Sequence, residues 1–240
     1  MSQVLQPQQP AAPRPEAVMA ALPGLIRQVA ARYAGASRYS RGFVPGKLRG
    51  DPATEVVLRH AAQLGGFGHV LDLGCGRGQL ALLLVQAGLA REATGIDVIG
   101  PQVAEANAAA AGLPARYIQA DLARPETRAA LPDCDTLLLV DVLYQMPEAA
   151  QMALLAPALR AARRRMVIRL FDPDLGWRSR FGRGMERVNA VLRGEPGARV
   201  SPLPLPRIEA VLRGGGFRVE RRPCWGRLPL PNVLLLAERD

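Results

Sequence analysis

The sequence predicts a doubly wound α/β fold. Its sheet is expected to be mostly parallel and seven-stranded, with one antiparallel strand near the C-terminus and a helical extension in front. Three observations predict this. From His69 onward, five short β-rich runs alternate with helical stretches, which implies βαβ units and a parallel sheet covered on both faces. A glycine-rich turn joins the first run to the first helical stretch. Two further β-rich runs close the chain, spaced as an antiparallel pair.

The elements follow in order. Residues 1–15 contain four Gln and four Pro with little apolar content, and are expected to be a disordered tail. Glu16 to Tyr33 is apolar at helical spacing, but Pro23 should break it into a short helix or two turns. Ala34 to Gly50, rich in Gly, Ser, Tyr and Arg, reads as a loop. Asp51 can cap a helix that has Pro52 at its first position and runs to about Leu64. Residues 16–64 thus form a helical extension or lid, and 65–240 the main domain. His60 is expected on a helix surface and His69 just before a strand, both in structural roles.

The β-rich runs are His69 to Leu73, Ala93 to Val98, Ala115 to Ala120, Thr136 to Val140 and Met166 to Phe171. Helical patterns lie between them at Gln79 to Gln86, Pro101 to Ala111 and Pro147 to Ala162. Asp172 to Leu205 interrupts the rhythm with Gly, Arg and Pro, as an insertion on the substrate side would. A last helix, about Pro206 to Arg213, ends at three glycines before the closing strands Phe217 to Arg222 and Asn232 to Glu238.

Composition removes several classes. With 240 residues, 49% hydrophobic and 22% charged, the chain can bury a core unaided. The longest apolar run, Leu80 to Ala90, is too short for a membrane span and is broken by Gln86. The first residues lack a basic and then apolar leader, and Cys75, Cys134 and Cys224 form neither a disulfide framework nor a zinc pattern. A reducing, cytoplasmic setting is the expectation. Net charge is +10, and Lys47 is the sole lysine. From Arg163 to Arg227 there are 16 arginines against 6 acids, so the whole excess lies in the last third. An anionic partner should meet the protein there.

The segment Val70-Leu71-Asp72-Leu73-Gly74-Cys75-Gly76-Arg77-Gly78-Gln79 is a buried strand, a glycine turn and a helix start. Glycine is needed where the backbone turns with positive φ against a ligand, and the helix behind presents free N–H groups. The dinucleotide fingerprint G-x-G-x-x-G would place its third glycine one residue later, where Gln79 stands, which disfavours a nicotinamide oxidoreductase. Asp97 lies 19 residues past Gly78, where a ribose-binding acid is expected.

The D-x-G-x-G-x-G loop resembles the first motif of the class I S-adenosylmethionine-dependent methyltransferases. The resemblance continues through Gly95-Ile96-Asp97, Gln119-Ala120-Asp121-Leu122 and Asp141-Val142-Leu143-Tyr144-Gln145-Met146-Pro147, each at a strand end. It covers about Asp51 to Arg239 and implies a Rossmann-like domain that binds S-adenosylmethionine. The implied donor-binding set is Asp72, Gly74, Cys75, Gly76, Gly78, Asp97, Val98, Asp121, Leu122 and Asp141. Asp97 would accept from the ribose hydroxyls, and Asp121 from the adenine amine. Asp72 would order the loop and face the ammonium, while Asp141 would face the methionine moiety or the acceptor. The competing reading of each Asp is an Asx-turn or a helix cap. Cys75 reads as a loop filler rather than a nucleophile.

The resemblance implies a donor whose methyl group is already electrophilic, so the protein's task is alignment of the acceptor. No metal is implied, and no general base stands out. Tyr144 and Arg169 are the catalytic candidates. Tyr144 follows the fourth strand on the acceptor side. Arg169 sits inside Val167-Ile168-Arg169-Leu170-Phe171, either at an exposed strand position, ion-paired within the fold, or as an anion anchor shared with Asp172, Trp177 and Arg178. Tyr33, Tyr39, Arg41, Lys47 and Arg49 can close over the cleft or form a solvated loop. The leading expectation is methyl transfer to a small organic acceptor that is anionic or bound to a carrier protein. That acceptor would dock against the arginine-rich region after the fifth strand. The alternatives are an RNA methyltransferase, disfavoured by the lack of an Asn/Asp-Pro-Pro-aromatic motif or RNA-binding appendage, and a non-catalytic scaffold.

Overall fold

The computed structural model describes residues 13–192, 200–226 and 228–239, with the side chains of 186–192 excepted. The expectation for residues 1–15 therefore falls almost wholly outside the described residues. The strands are β1 (His69–Leu73), β2 (Glu92–Asp97), β3 (Ala115–Gln119), β4 (Cys134–Val140), β5 (Ala162–Phe171), β6 (Arg218–Pro223) and β7 (Asn232–Glu238). They form one seven-stranded sheet in the order β3-β2-β1-β4-β5-β7-β6. β1 to β5 pair in parallel, and β7 runs antiparallel to both β5 and β6. The reversal of strand order lies between β1 and β4, where the crevice of such sheets opens at the carboxyl ends.

The central strands are apolar at successive positions because both faces of the sheet are covered. Val70, Leu138, Val167 and Leu234 face one cluster, built with α1 (Pro15–Arg32), α2 (Arg38–Gly50), α3 (Pro52–Gln63), α4 (Gln79–Gln86) and α5 (Gly100–Ala109). Leu71, Leu137, Leu139, Ile168 and Leu235 face the other. That face carries α7 (Glu148–Ala161) and α9 (Leu205–Gly214), with the short α6 (Pro125–Ala129) beside α7.

Three expectations are corrected. Pro23 does not break α1, which runs through it as one helix of 18 residues. Pro23 is exposed, while Val18, Ile26 and Val29 are buried, so packing carries the helix past the missing backbone bond. The expected loop from Ala34 to Gly50 contains α2 instead. Ser37 caps it by accepting from the Ser40 N–H, and Ser40, Val44 and Leu48, spaced by four, are buried. His60 is on α3 as expected but buried, with Nε2 3.3 Å from a Glu238 carboxylate oxygen. Burial holds its pKa below the ordinary value against the pull of Glu238.

The insertion after β5 begins with α8 (Trp177–Leu192). The cap at Asp51 is present, accepting from the Ala53 N–H at 2.9 Å. No helix among the described residues is long and apolar enough to cross a membrane.

Candidate functional site

The glycine turn sits at the carboxyl end of β1. Gly74, Gly76 and Gly78 take φ of 71°, 55° and 69°, a region closed to ordinary side chains. Two positions are also sterically locked. A Cβ on Gly74 would lie 2.4 Å from Val142, and one on Gly78 would lie 2.3 Å from the Tyr117 ring. The turn is tied to β2 because the Gly74 and Cys75 N–H groups donate to the Ile96 carbonyl. The Tyr117 hydroxyl donates to the Gly78 carbonyl at 2.9 Å.

Asp97 completes this tie. Its Oδ2 accepts from the Gly76 N–H at 2.8 Å and its Oδ1 from the Ile99 N–H at 2.9 Å, just ahead of α5. Each carboxylate oxygen has two lone pairs, and Asp97 is only half-buried, so both oxygens keep acceptor capacity toward the crevice. Next to it Val98 is 56% exposed, an apolar surface at the sheet end.

Asp72 is buried in β1, its backbone paired in the sheet and its carboxyl without a hydrogen-bond partner among the described residues. Burial first, and the Asp97 charge second, push its pKa up to about 7. Cys75 is buried, and burial followed by the Asp72 and Asp97 charges raises its thiol pKa far beyond the reactive range. Gln79 Oε1 is likewise buried without a partner. Asp121 forms an Asx-turn with the Ala123 N–H at 2.8 Å and stands near Arg124, with Leu122 buried behind it.

Asp141, after β4, has φ 62°, the one described non-glycine residue with positive φ. A charged cluster holds it. Its Oδ2 lies 2.9 Å from Arg169 Nη1 and 3.3 Å from Lys47 Nζ. The same Arg169 nitrogen lies 2.6 Å from Asp51 Oδ2, and Lys47 lies 2.5 Å from Asp51. Burial works to lower the Lys47 pKa, yet Asp141 and Asp51 outweigh it and raise it. Burial works to raise the Asp51 pKa, yet Arg169 and Lys47 outweigh it and lower it. Asp141 Oδ1 and Arg169 Nε remain buried without partners.

Arg169 is thus ion-paired within the fold, not grouped with Asp172, Trp177 and Arg178. Those residues form other contacts. Asp172 Oδ1 accepts from the Asp174 N–H, and the Arg178 guanidinium lies 4.3 Å from the Trp225 ring centroid and 5.3 Å from that of Trp177. Tyr144, in a single 3-10 turn, is buried against Phe171 with centroids 6.1 Å apart.

The N-terminal helices reach the site at two places. Arg77 of the glycine turn lies 5.0 Å from the Tyr39 ring centroid and 5.2 Å from that of Phe43. Its Nε donates to Ser40 Oγ and is paired with Glu105, while the Tyr33 hydroxyl donates to the Arg77 carbonyl. At the other end α2 delivers Lys47 to Asp141. Tyr33, Tyr39 and Lys47 therefore lie at the crevice, whereas Arg41 reaches only toward the Ala34 carbonyl. Sequence reasoning missed Asp51 as an ion-pair partner and Arg77, Ser40, Phe43 and Glu105 as a clasp. The Arg in the middle of the glycine motif was the available signal.

Beside the charged cluster a cleft of about 1020 Å³ opens between α1, the α2–α3 junction and the β6–β7 connection. Arg169, Cys224 and Asn232 lie on its sheet side. Among the described residues no group of His, Cys, Asp and Glu is arranged to hold a metal ion, and the three cysteines are free and buried.

Residues 70–165 match the family model described as a methyltransferase domain. No curated protein sequence matches the chain. Among solved structures, the chain is similar to the magnesium protoporphyrin IX methyltransferase (ChlM) from Synechocystis PCC 6803 with bound SAH. That match has 20% identity, covers 94% of this chain and 99% of that one, and has a TM-score of 0.62. An O-methyltransferase family protein from Burkholderia thailandensis matches at 16% identity over 94% of this chain and 69% of that one, with a TM-score of 0.62. A SAM dependent methyltransferase from Archaeoglobus fulgidus matches at 16% identity over 81% of this chain and 97% of that one, with a TM-score of 0.56. Sheet order, glycine turn and family match agree: the chain has the class I S-adenosylmethionine-dependent methyltransferase fold, and its residues 70–165 match the methyltransferase domain family.

Proposed function

We propose that the chain transfers a methyl group from S-adenosylmethionine to a small organic acceptor that is anionic or carrier-bound. The observation that carries this is the tie between Gly76 and Asp97. It fixes a carboxylate with spare lone pairs at the end of β2, beside a turn of three left-handed glycines. The residues fit the donor. Asp97 offers acceptors to a ribose, Val98 and Leu122 offer apolar surface to a base, and Asp121 offers a carboxylate oxygen beyond its Asx-turn. Asp72 offers a buried carboxyl with no partner of its own to a cationic group. When bound, the donor supplies an electrophilic methyl group. The chain's residues bind it, hold Asp141 at the crevice and exclude water with α2. Tyr144 and Arg169 take positioning roles in this reading, since one packs on Phe171 and the other neutralises Asp51 and Asp141.

One of the similar structures is a magnesium protoporphyrin IX methyltransferase, which supports a small-molecule acceptor here. Titration calorimetry tests the donor. S-adenosylmethionine and its demethylated product should bind and NAD should not. Asp97→Ala should weaken binding by about 2–3 kcal/mol through lost charge-assisted bonds. NAD binding without affinity for the methyl donor would refute the reading.

A further inference from the structure

The cleft beside the charged cluster is large, and its charge is unbalanced. At about 1020 Å³ it lies at the upper end of the volumes that enclose small organic ligands. One part of its lining is apolar: Leu22, Pro23, Ile26, Leu48, Leu228 and Leu230. Of these, Leu228 is 50% exposed and extends the apolar wall to the surface. The charged lining is Arg27, Lys47, Arg49 and Arg169 against Asp51 and Glu55. Most of these charges already have partners. Lys47 and Arg169 face Asp51 and Asp141, and Glu55 pairs with Arg59 at 2.8 Å. Arg27 and Arg49 have no ion-pair partner among the described residues, so the charges left over in the cleft are both positive.

The floor adds a second observation. Arg169 is 4% exposed, lines the cleft and carries a buried Nε–H without a partner. An unpaired buried donor of this kind is stabilised by an acceptor oxygen brought to it. The floor is also the wall of the donor crevice. Lys47 and Arg169 both hold Asp141, and the next residue, Val142, is the side chain against which Gly74 is packed.

We propose that this cleft is the acceptor site and that it takes a bulky, mainly apolar molecule bearing one anionic group. The apolar body lies against Leu22, Ile26, Leu228 and Leu230, and the anion is read by Arg27 and Arg49 at the mouth. This rests on the methyltransferase reading for the word acceptor, and moves the anion site from the arginines of α8 to the N-terminal helices.

The test uses two fluorescent probes with one ring system. Anilinonaphthalenesulfonate carries a sulfonate; N-phenylnaphthylamine is neutral. The full chain should bind the sulfonate at a single site and more tightly than the neutral probe. The double variant Arg27→Glu/Arg49→Glu should weaken the sulfonate about tenfold or more and leave the neutral probe within about twofold. Leu228→Asp should weaken both. Reversal of Arg180 and Arg183 to Glu should leave both unchanged. Arg27, Arg49, Leu228 and Arg180 are exposed and Arg183 is half-buried, and far-UV circular dichroism checks the fold of each variant. The proposal is overturned if the cleft variants leave both probes unchanged, or if the α8 reversal alone weakens the sulfonate. Calorimetry with S-adenosylhomocysteine runs alongside and should be unaffected in every variant. If the wild-type chain fails to bind it, the methyltransferase reading fails, while the probes still decide what the cleft binds.

Discussion

Asp72 gives the sharpest physical prediction. Its carboxyl is buried in the first strand, lies near Asp97 and has a pKa pushed up to about 7 from 3.8. An acid whose folded pKa is raised is favoured protonated in the native state. Its contribution to stability is fully present below the unfolded pKa and is lost as pH rises toward the folded one. Between about pH 4 and pH 7 the native chain binds one more proton at this position than the unfolded chain. Stability therefore falls by about 1.4 kcal/mol per pH unit, on the order of 4 kcal/mol in all. The perturbation is Asp72→Asn, which keeps the shape and removes the titration. Urea unfolding of both proteins at intervals from about pH 5 to pH 9 gives the difference in stability. That difference should drift against the wild type by about 1.4 kcal/mol per unit and level off above about pH 7. Asp97→Asn in the wild-type background removes the second cause of the shift and should move the levelling point to lower pH. A difference that is flat from about pH 5 to pH 8 would refute the reasoning, because Asp72 would then titrate as it does in water.

Two further outcomes test the turn and the cluster. Gly78→Ala combines φ 69° with a Cβ 2.3 Å from the Tyr117 ring, so it should destabilise by about 2–5 kcal/mol in urea unfolding. A loss under about 0.5 kcal/mol would mean that the turn is not left-handed there. Arg169→Met leaves Asp51 and Asp141 sharing only Lys47, and should cost about 3–5 kcal/mol. Lys47→Met, at a half-exposed side chain, should cost less, and equal losses in unfolding experiments would count against this ranking.

The elements read correctly from sequence are those whose pattern is local. Central strands such as Leu137 to Leu139 are apolar at every position because two helical layers cover them, and that signal needs no partner. The glycine turn is legible because positive φ at three alternate positions strongly favours glycine. α2 was illegible because Gly42, Pro45 and Gly46 all argue against a helix, and what holds it is burial of Ser40, Val44 and Leu48. His60 looked exposed since nothing near it in sequence reveals Glu238. The pair of Arg169 with Asp51 spans 118 residues, and no spacing rule reaches that far. Asp51 was read as a helix cap, which it is, with one oxygen; the other serves the cluster.

The family match runs from residue 70 to residue 165. Inside those limits lie the glycine turn, Asp97, Asp121 and Asp141, the parts that a shared donor would require. Outside them lie Lys47 and Arg169, the two groups that hold Asp141, and Asp51, which shares both of them, together with Arg27, Arg49 and the β6–β7 connection that frame the cleft. Each of the outside parts depends on another. Arg169 in β5 is paired with Asp51, the cap of α3, and Lys47 reaches Asp141 from α2, which also carries the residues that clasp Arg77. Substitutions in the N-terminal helices should therefore alter acceptor choice through the cleft and act on the donor only through the Arg77 clasp. Substitutions in the turn should do the reverse. On the proposed function, redrawing α1 to α3 and the closing connection should change the acceptor and leave donor binding in place.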